Sequence, residues 1–122
     1  MLFGKRKKLI EYLTKKEDKA LTAFDMILSD YVAGSLKENL QDLGMKKINI
    51  YIDWLSNYKC INIQGKVDDY FFDIQIEPKT FSVAYDKNEP DDTIEFVLLD
   101  IKSFYNVLAN TILNIKQKNI TT

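Results

Sequence analysis

Ile48-Asn49-Ile50-Tyr51-Ile52-Asp53-Trp54 alternates apolar and polar side chains with a period of two residues. The same period returns downstream in Ile61 and Ile63, then in Tyr70, Phe72, Ile74 and Ile76. It continues in Phe81, Val83 and Tyr85, and finally in Ile94, Phe96 and Leu98. Successive residues of a β-strand point to opposite faces, so each run reads as a strand with one buried and one wet side. Turn formers separate the runs: Ser56-Asn57, then Gly65-Lys66-Val67-Asp68, then Pro78-Lys79, then the polar stretch from Asp86 to Asp92. Pro78 cannot donate to a sheet ladder and belongs in a turn. Connections this short favour an antiparallel meander over parallel strands, which need long crossovers.

Helical spacing flanks the meander on both sides. Leu9, Ile10 and Leu13 predict a short basic helix, followed by a capping-box pattern at Thr14-Lys15-Lys16-Glu17. Leu21, Phe24, Ile27, Leu28, Tyr31 and Val32 recur at three- and four-residue intervals, and Leu36, Leu40 and Leu43 extend the stripe. Residues 16–43 therefore read as helical, either as one bent helix or as two parted at Gly34, with Ser35-Leu36-Lys37-Glu38 as a second capping box. On the far side Asp100 reads as an N-cap for a stripe of Ile101, Phe104, Tyr105, Leu108, Ile112 and Ile115. Lys116 and Lys118 near its end suit the helix dipole. The expected class is α+β: an antiparallel meander of four to five strands over about residues 46–99. The N-terminal helices and a C-terminal helix would pack on its one apolar face, within a single domain spanning 1–122.

Composition narrows the function classes. The 122 residues are 46% hydrophobic and 29% charged, the balance of an ordinary globular domain. A single cysteine, Cys60, has no internal disulfide partner, which fits a reducing compartment. No run reaches the ~20 apolar residues of a membrane span. The short apolar stretch Leu9–Leu13 is broken by Glu11 and followed by Lys15, Lys16, Glu17 and Asp18, so a cytoplasmic location is expected over secretion. Abundant lysine, isoleucine and asparagine suit an AT-rich bacterial or phage genome.

The net charge of −1 hides an uneven distribution. Residues 1–19 carry seven bases against three acids, whereas residues 68–100 carry ten acids against Lys79 and Lys87. Arg6 is the only arginine, which argues against sequence-specific nucleic-acid recognition, since that relies on bidentate guanidinium contacts. The basic cluster Lys5-Arg6-Lys7-Lys8 lacks interleaved aromatics and reads as a solvated helix start.

The chemistry-bearing residues are few. With no histidine and one cysteine, imidazole general-base catalysis, triads and thiolate zinc sites are excluded. Glycines at 4, 34, 44 and 65 form no phosphate loop. No catalytic residue, cofactor or metal ligand is assigned. Asp86, Glu89, Asp91 and Asp92 could in principle hold a hard cation, but calcium-loop spacing is missing and a solvated turn explains them better. Asp68-Asp69 suits a hairpin better than an acid/base pair, and Asp73 and Glu77 lie on an open face that desolvates little.

What stands out is aromatic. Strict alternation turns Phe71 and Tyr51 toward the polar side of the sheet, beside acids, with Tyr58 expected to join them there. Either further helix covers them, or they are isolated exposed rings, or they form a working surface. The surface so defined is Tyr51, Phe71, Asp73, Asp86, Glu89, Asp91 and Asp92. It predicts a small non-catalytic protein-binding domain of inhibitor, immunity or adaptor type for a basic protein partner. Two alternatives are a small-ligand or metal-binding domain, and a structural homo-oligomer joined through this face or an edge strand.

Overall fold

The computed structural model describes residues 21–55, 58–88 and 93–121. The expected helix at residues 9–13 and the capping box at Thr14–Glu17 lie outside these residues. Helix α1 (Ala23–Ala33) begins at a capping box that the sequence pattern did not single out. The Thr22 hydroxyl accepts from the Asp25 N–H at 3.1 Å, and the Asp25 carboxylate accepts from the Thr22 N–H at 3.4 Å. Asp serves at the third helical position in place of the usual Glu or Gln.

Gly34 settles whether this region is one helix or two. Its φ of +84° is left-handed, which ends α1 and directly precedes α2 (Ser35–Asp42). A side chain there would meet nothing within 4 Å, so the requirement for glycine is backbone geometry alone. Ser35 is consequently not an N-cap. It is the first helical residue, and its hydroxyl donates to the Asp30 carbonyl at 3.2 Å instead.

Five strands follow: β1 (Lys46–Leu55), β2 (Tyr58–Val67), β3 (Tyr70–Ile76), β4 (Thr80–Asp86) and β5 (Thr93–Val97). They pair antiparallel in sequence order, so the sheet is a simple meander with β1 and β5 at its edges. The β2–β3 turn is Asp68-Asp69, with Asp68 at φ +50°, and not the expected Gly65–Asp68. Gly65 lies inside β2 opposite Phe72. Its hydrogen leaves room for Met45, whose sulfur would stand 2.6 Å from a Cβ at this position. The β3–β4 turn forms at Pro78-Lys79 as expected, closed by the Glu77 N–H donating to the Thr80 carbonyl at 2.8 Å.

The alternation resolves into two faces. On one, the rows Ile50–Ile63–Ile74–Val83–Ile94 and Ile52–Ile61–Ile76–Phe81–Phe96 run across all five strands. Helix α3 (Ile101–Thr121) buries Phe104, Leu108, Ile112 and Ile115 in the same cluster as these rows, together with Phe24, Ile27, Leu28, Leu36 and Leu40 of α1 and α2. Phe104 meets Phe81 edge-on at 5.1 Å, and Phe81 stacks on Phe96 at 5.1 Å, a geometry that adds to simple burial. Asp100 does cap α3: its carboxylate accepts from the Ser103 N–H at 2.7 Å, which holds its pKa below the ordinary value.

One polar node joins the three helices. The Tyr105 hydroxyl donates to Asp30 at 3.0 Å and accepts from the Asn39 side chain at 3.1 Å. The result is a two-layer α+β domain with its helices gathered on one side of the sheet. No helix among the described residues is long and apolar enough to cross a membrane.

Candidate functional site: the outer face of the sheet

The second face of the sheet packs against none of α1, α2 or α3, whose buried apolar side chains all join the core on the first. Its side chains form rows set by strand register. Tyr51, Asn62, Gln75, Ser82 and Glu95 make one row; Asn49, Gln64, Asp73, Ala84 and Thr93 make the next; Lys66, Phe71 and Asp86 make a third.

Phe71 is exposed, as its place in the alternation predicts, and Tyr51 is exposed on β1. They do not touch as one aromatic patch, because the polar row of Gln64 and Asp73 runs between theirs. Phe71 has different neighbours: the Lys66 ammonium sits 4.8 Å over its ring, and Asp86 lies opposite it on β4. Asp73 is exposed on the row beside it. Glu89, Asp91 and Asp92 lie outside the described residues.

A depression of about 330 Å³ opens at this end, lined by Lys47, Gln64, Lys66, Phe71, Asp73 and Asn88 among others. Lys47 reaches it from an irregularity in β1, where the pairing register shifts between Lys46 and Asn49 and Lys47 takes φ +52°. That conformation is uncommon for a residue with a side chain and marks a bulge-like bend in the strand.

Lys47 and Lys66 were not expected on this surface. Reading a turn at Gly65 removed Lys66 from the strand; with β2 extended to Val67, the same alternation that places Asn62 and Gln64 outward places Lys66 there too. Lys47 carried no such signal, since its direction depends on the register shift.

The opposite end of the face is more acidic and more enclosed. Asp53 accepts from the Asn62 side-chain amide at 2.9 Å, and Glu77 accepts from Gln75 at 3.4 Å and from the Thr80 hydroxyl at 3.3 Å. Between them lies Cys60, fully buried although it points to the polar face. Burial raises the pKa of its thiol above the ordinary value; a hydrogen bond from Gln75 opposes this, while Glu77 and Asp53 add to it. A nucleophilic cysteine requires the reverse shift. Asp73 and Glu77 are four strand positions apart, about 13 Å along the chain, too far for a carboxylate pair to share a substrate atom. Among the described residues no three Cys, Asp or Glu side chains converge as a metal site requires.

No protein-family model, curated protein or solved structure matches this chain.

Proposed function

We propose that this domain is a non-catalytic protein-binding module of the cytoplasm whose outer sheet face engages a basic partner, in the manner of an inhibitor, immunity or adaptor protein. The observation behind the reading is an exposed aromatic, Phe71, on a sheet face to which α1, α2 and α3 contribute no packing. Around it stand Asp73 and Asp86, and farther along the face Asp53, Glu77 and Glu95. Carboxylates ringing an apolar ring steer a cationic surface and fix its register, while the ring supplies desolvated contact area. Lys66 beside Phe71 sharpens the expectation: the partner carries an acidic residue within its basic patch, placed to meet this ammonium.

The test is affinity capture from lysate of the source cells, comparing the natural chain with a Phe71→Ala/Asp73→Lys variant of unchanged circular dichroism. A basic protein retained by the first and lost by the second supports the reading. Identical capture by both overturns it.

A second reading rests on the depression. Two lysines against the single carboxylate of Asp73, with an aromatic ring and two amide side chains, suit a small planar anion, and the volume is at the low end for ligand sites. Thermal shift with a panel of aromatic carboxylates and nucleotides decides between the two: stabilisation that Lys66→Ala removes favours the ligand.

A further inference from the structure

The sheet has two edges, and they are finished differently. The β1 edge has a register shift and the charged residues Lys46, Lys47 and Asp53. These are the devices by which natural sheets prevent further strand addition. Among the described residues the β5 edge carries fewer of them, its one charge being Glu95. Its pairing with β4 runs without a shift, and Thr93-Ile94-Glu95-Phe96-Val97 contains neither proline nor lysine. Ile94 is 53% exposed, Val97 66% and Leu99 74%.

The direction of the β5 backbone groups follows from one bond. The Leu98 N–H donates to the Lys79 carbonyl at 2.8 Å, so Leu98 faces β4. Strand alternation then turns Ile94 and Phe96 toward β4 as well, and leaves the N–H and C=O groups of Thr93, Glu95, Val97 and Leu99 aimed at the open edge.

We propose that this edge pairs with β5 of a second copy of the chain, antiparallel about a two-fold axis through Phe96. In that register Glu95 faces Val97 of the partner copy and Thr93 faces its Leu99. All four outward-facing residues of each edge then meet outward-facing residues. On the core side Ile94 meets Leu98 of the other copy and the two Phe96 rings are neighbours, joining the apolar rows of both sheets.

The two neighbouring two-fold registers also align the outward groups. Centring on Glu95 sets two carboxylates directly opposite each other, which is unfavourable. Centring on Val97 pushes Thr93 against Ile101, the first residue of α3, and shortens the ladder. The Phe96 register avoids both faults. It also closes the assembly at two copies, because the protected β1 edges are left outermost.

The proposal concerns the edge, which shares Glu95 with the outer face, and does not rest on what binds that face. It is tested by light scattering and sedimentation of the full chain from low micromolar to near-millimolar concentration. The mass is expected to rise from 14.2 kDa to twice that value. Val97→Glu places a carboxylate opposite Glu95 of the other copy at two symmetric positions and is expected to weaken pairing roughly tenfold. Val97→Lys makes two Glu–Lys pairs instead and keeps the dimer, with added salt sensitivity. Val97 is exposed, so both variants retain the monomer fold. A natural chain that stays at 14.2 kDa throughout overturns the proposal, as do open-ended oligomers or equal behaviour of the two variants.

Discussion

The two faces of one sheet obey opposite rules here. The core face has rows of Ile, Val and Phe crossing all five strands and locked beneath Phe104, Leu108, Ile112 and Ile115. The outer face has amides, hydroxyls, carboxylates and the isolated rings of Tyr51 and Phe71. The difference teaches where each kind of residue is constrained. A side chain on the core face is held by everything packed around it, so its loss is felt as stability. A side chain on the outer face is held mainly by its strand neighbours, so its loss is felt by whatever binds there.

Phe104→Ala should give the largest effect, because it removes the ring that meets Phe81 and leaves a cavity at the centre of the core face. A loss of about 3–5 kcal/mol in urea unfolding is expected. A loss below about 1 kcal/mol would mean that the helix layer is not seated on the sheet as described.

Tyr105→Phe tests the polar node of the helix layer and should cost about 1–2 kcal/mol, since it removes the hydroxyl between Asp30 and Asn39. It should also alter the response to alkali. Burial, opposed by the Asn39 hydrogen bond and reinforced by Asp30, pushes the phenol from its ordinary 10.0 up to about 12. The folded state therefore favours the neutral phenol. This contribution is full below pH 10.0 and is lost as the pH rises through about 12. Unfolding followed from pH 9 to 12 should show the natural chain losing stability more steeply than Tyr105→Phe; parallel curves would remove Tyr105 from the alkaline response.

Phe71→Ala should have the smallest effect on the fold, within about 0.5–1 kcal/mol, because the ring is exposed and its contact with Lys66 is a surface cation–π pair. A larger loss in the same urea titration would show that the outer face is also structural, and would blur the contrast between the two faces.

Much of this was legible in the sequence. The period-two runs located all five strands, and they assigned Phe71 and Tyr51 to the outer side because side-chain direction in a strand is a local property. The stripe from Ile101 to Ile115 located α3, with Asp100 as its cap. The β2–β3 connection was misplaced because glycine punctuates turns more often than it sits in strands. The reason for Gly65 is Met45, twenty positions away in the chain and in contact only once β1 lies beside β2. The same misplacement concealed Lys66 from the candidate surface. Ser35 read as a cap by pattern, yet Gly34 in a left-handed conformation already held that position.

By itself the sequence determined the class of the fold, the order of its elements and the face each strand residue takes, because periodicity and capping act over a few residues. Tertiary structure alone decided which face of the sheet α1, α2 and α3 leave uncovered. The seating of α1, α2 and α3 on one face, the register shift that turns Lys47 toward Phe71, and the burial of Cys60 on a polar face all depend on residues distant in the chain. So does the contrast between an irregular β1 edge and a regular β5 edge, since a strand is an edge only by virtue of what fails to pair beside it.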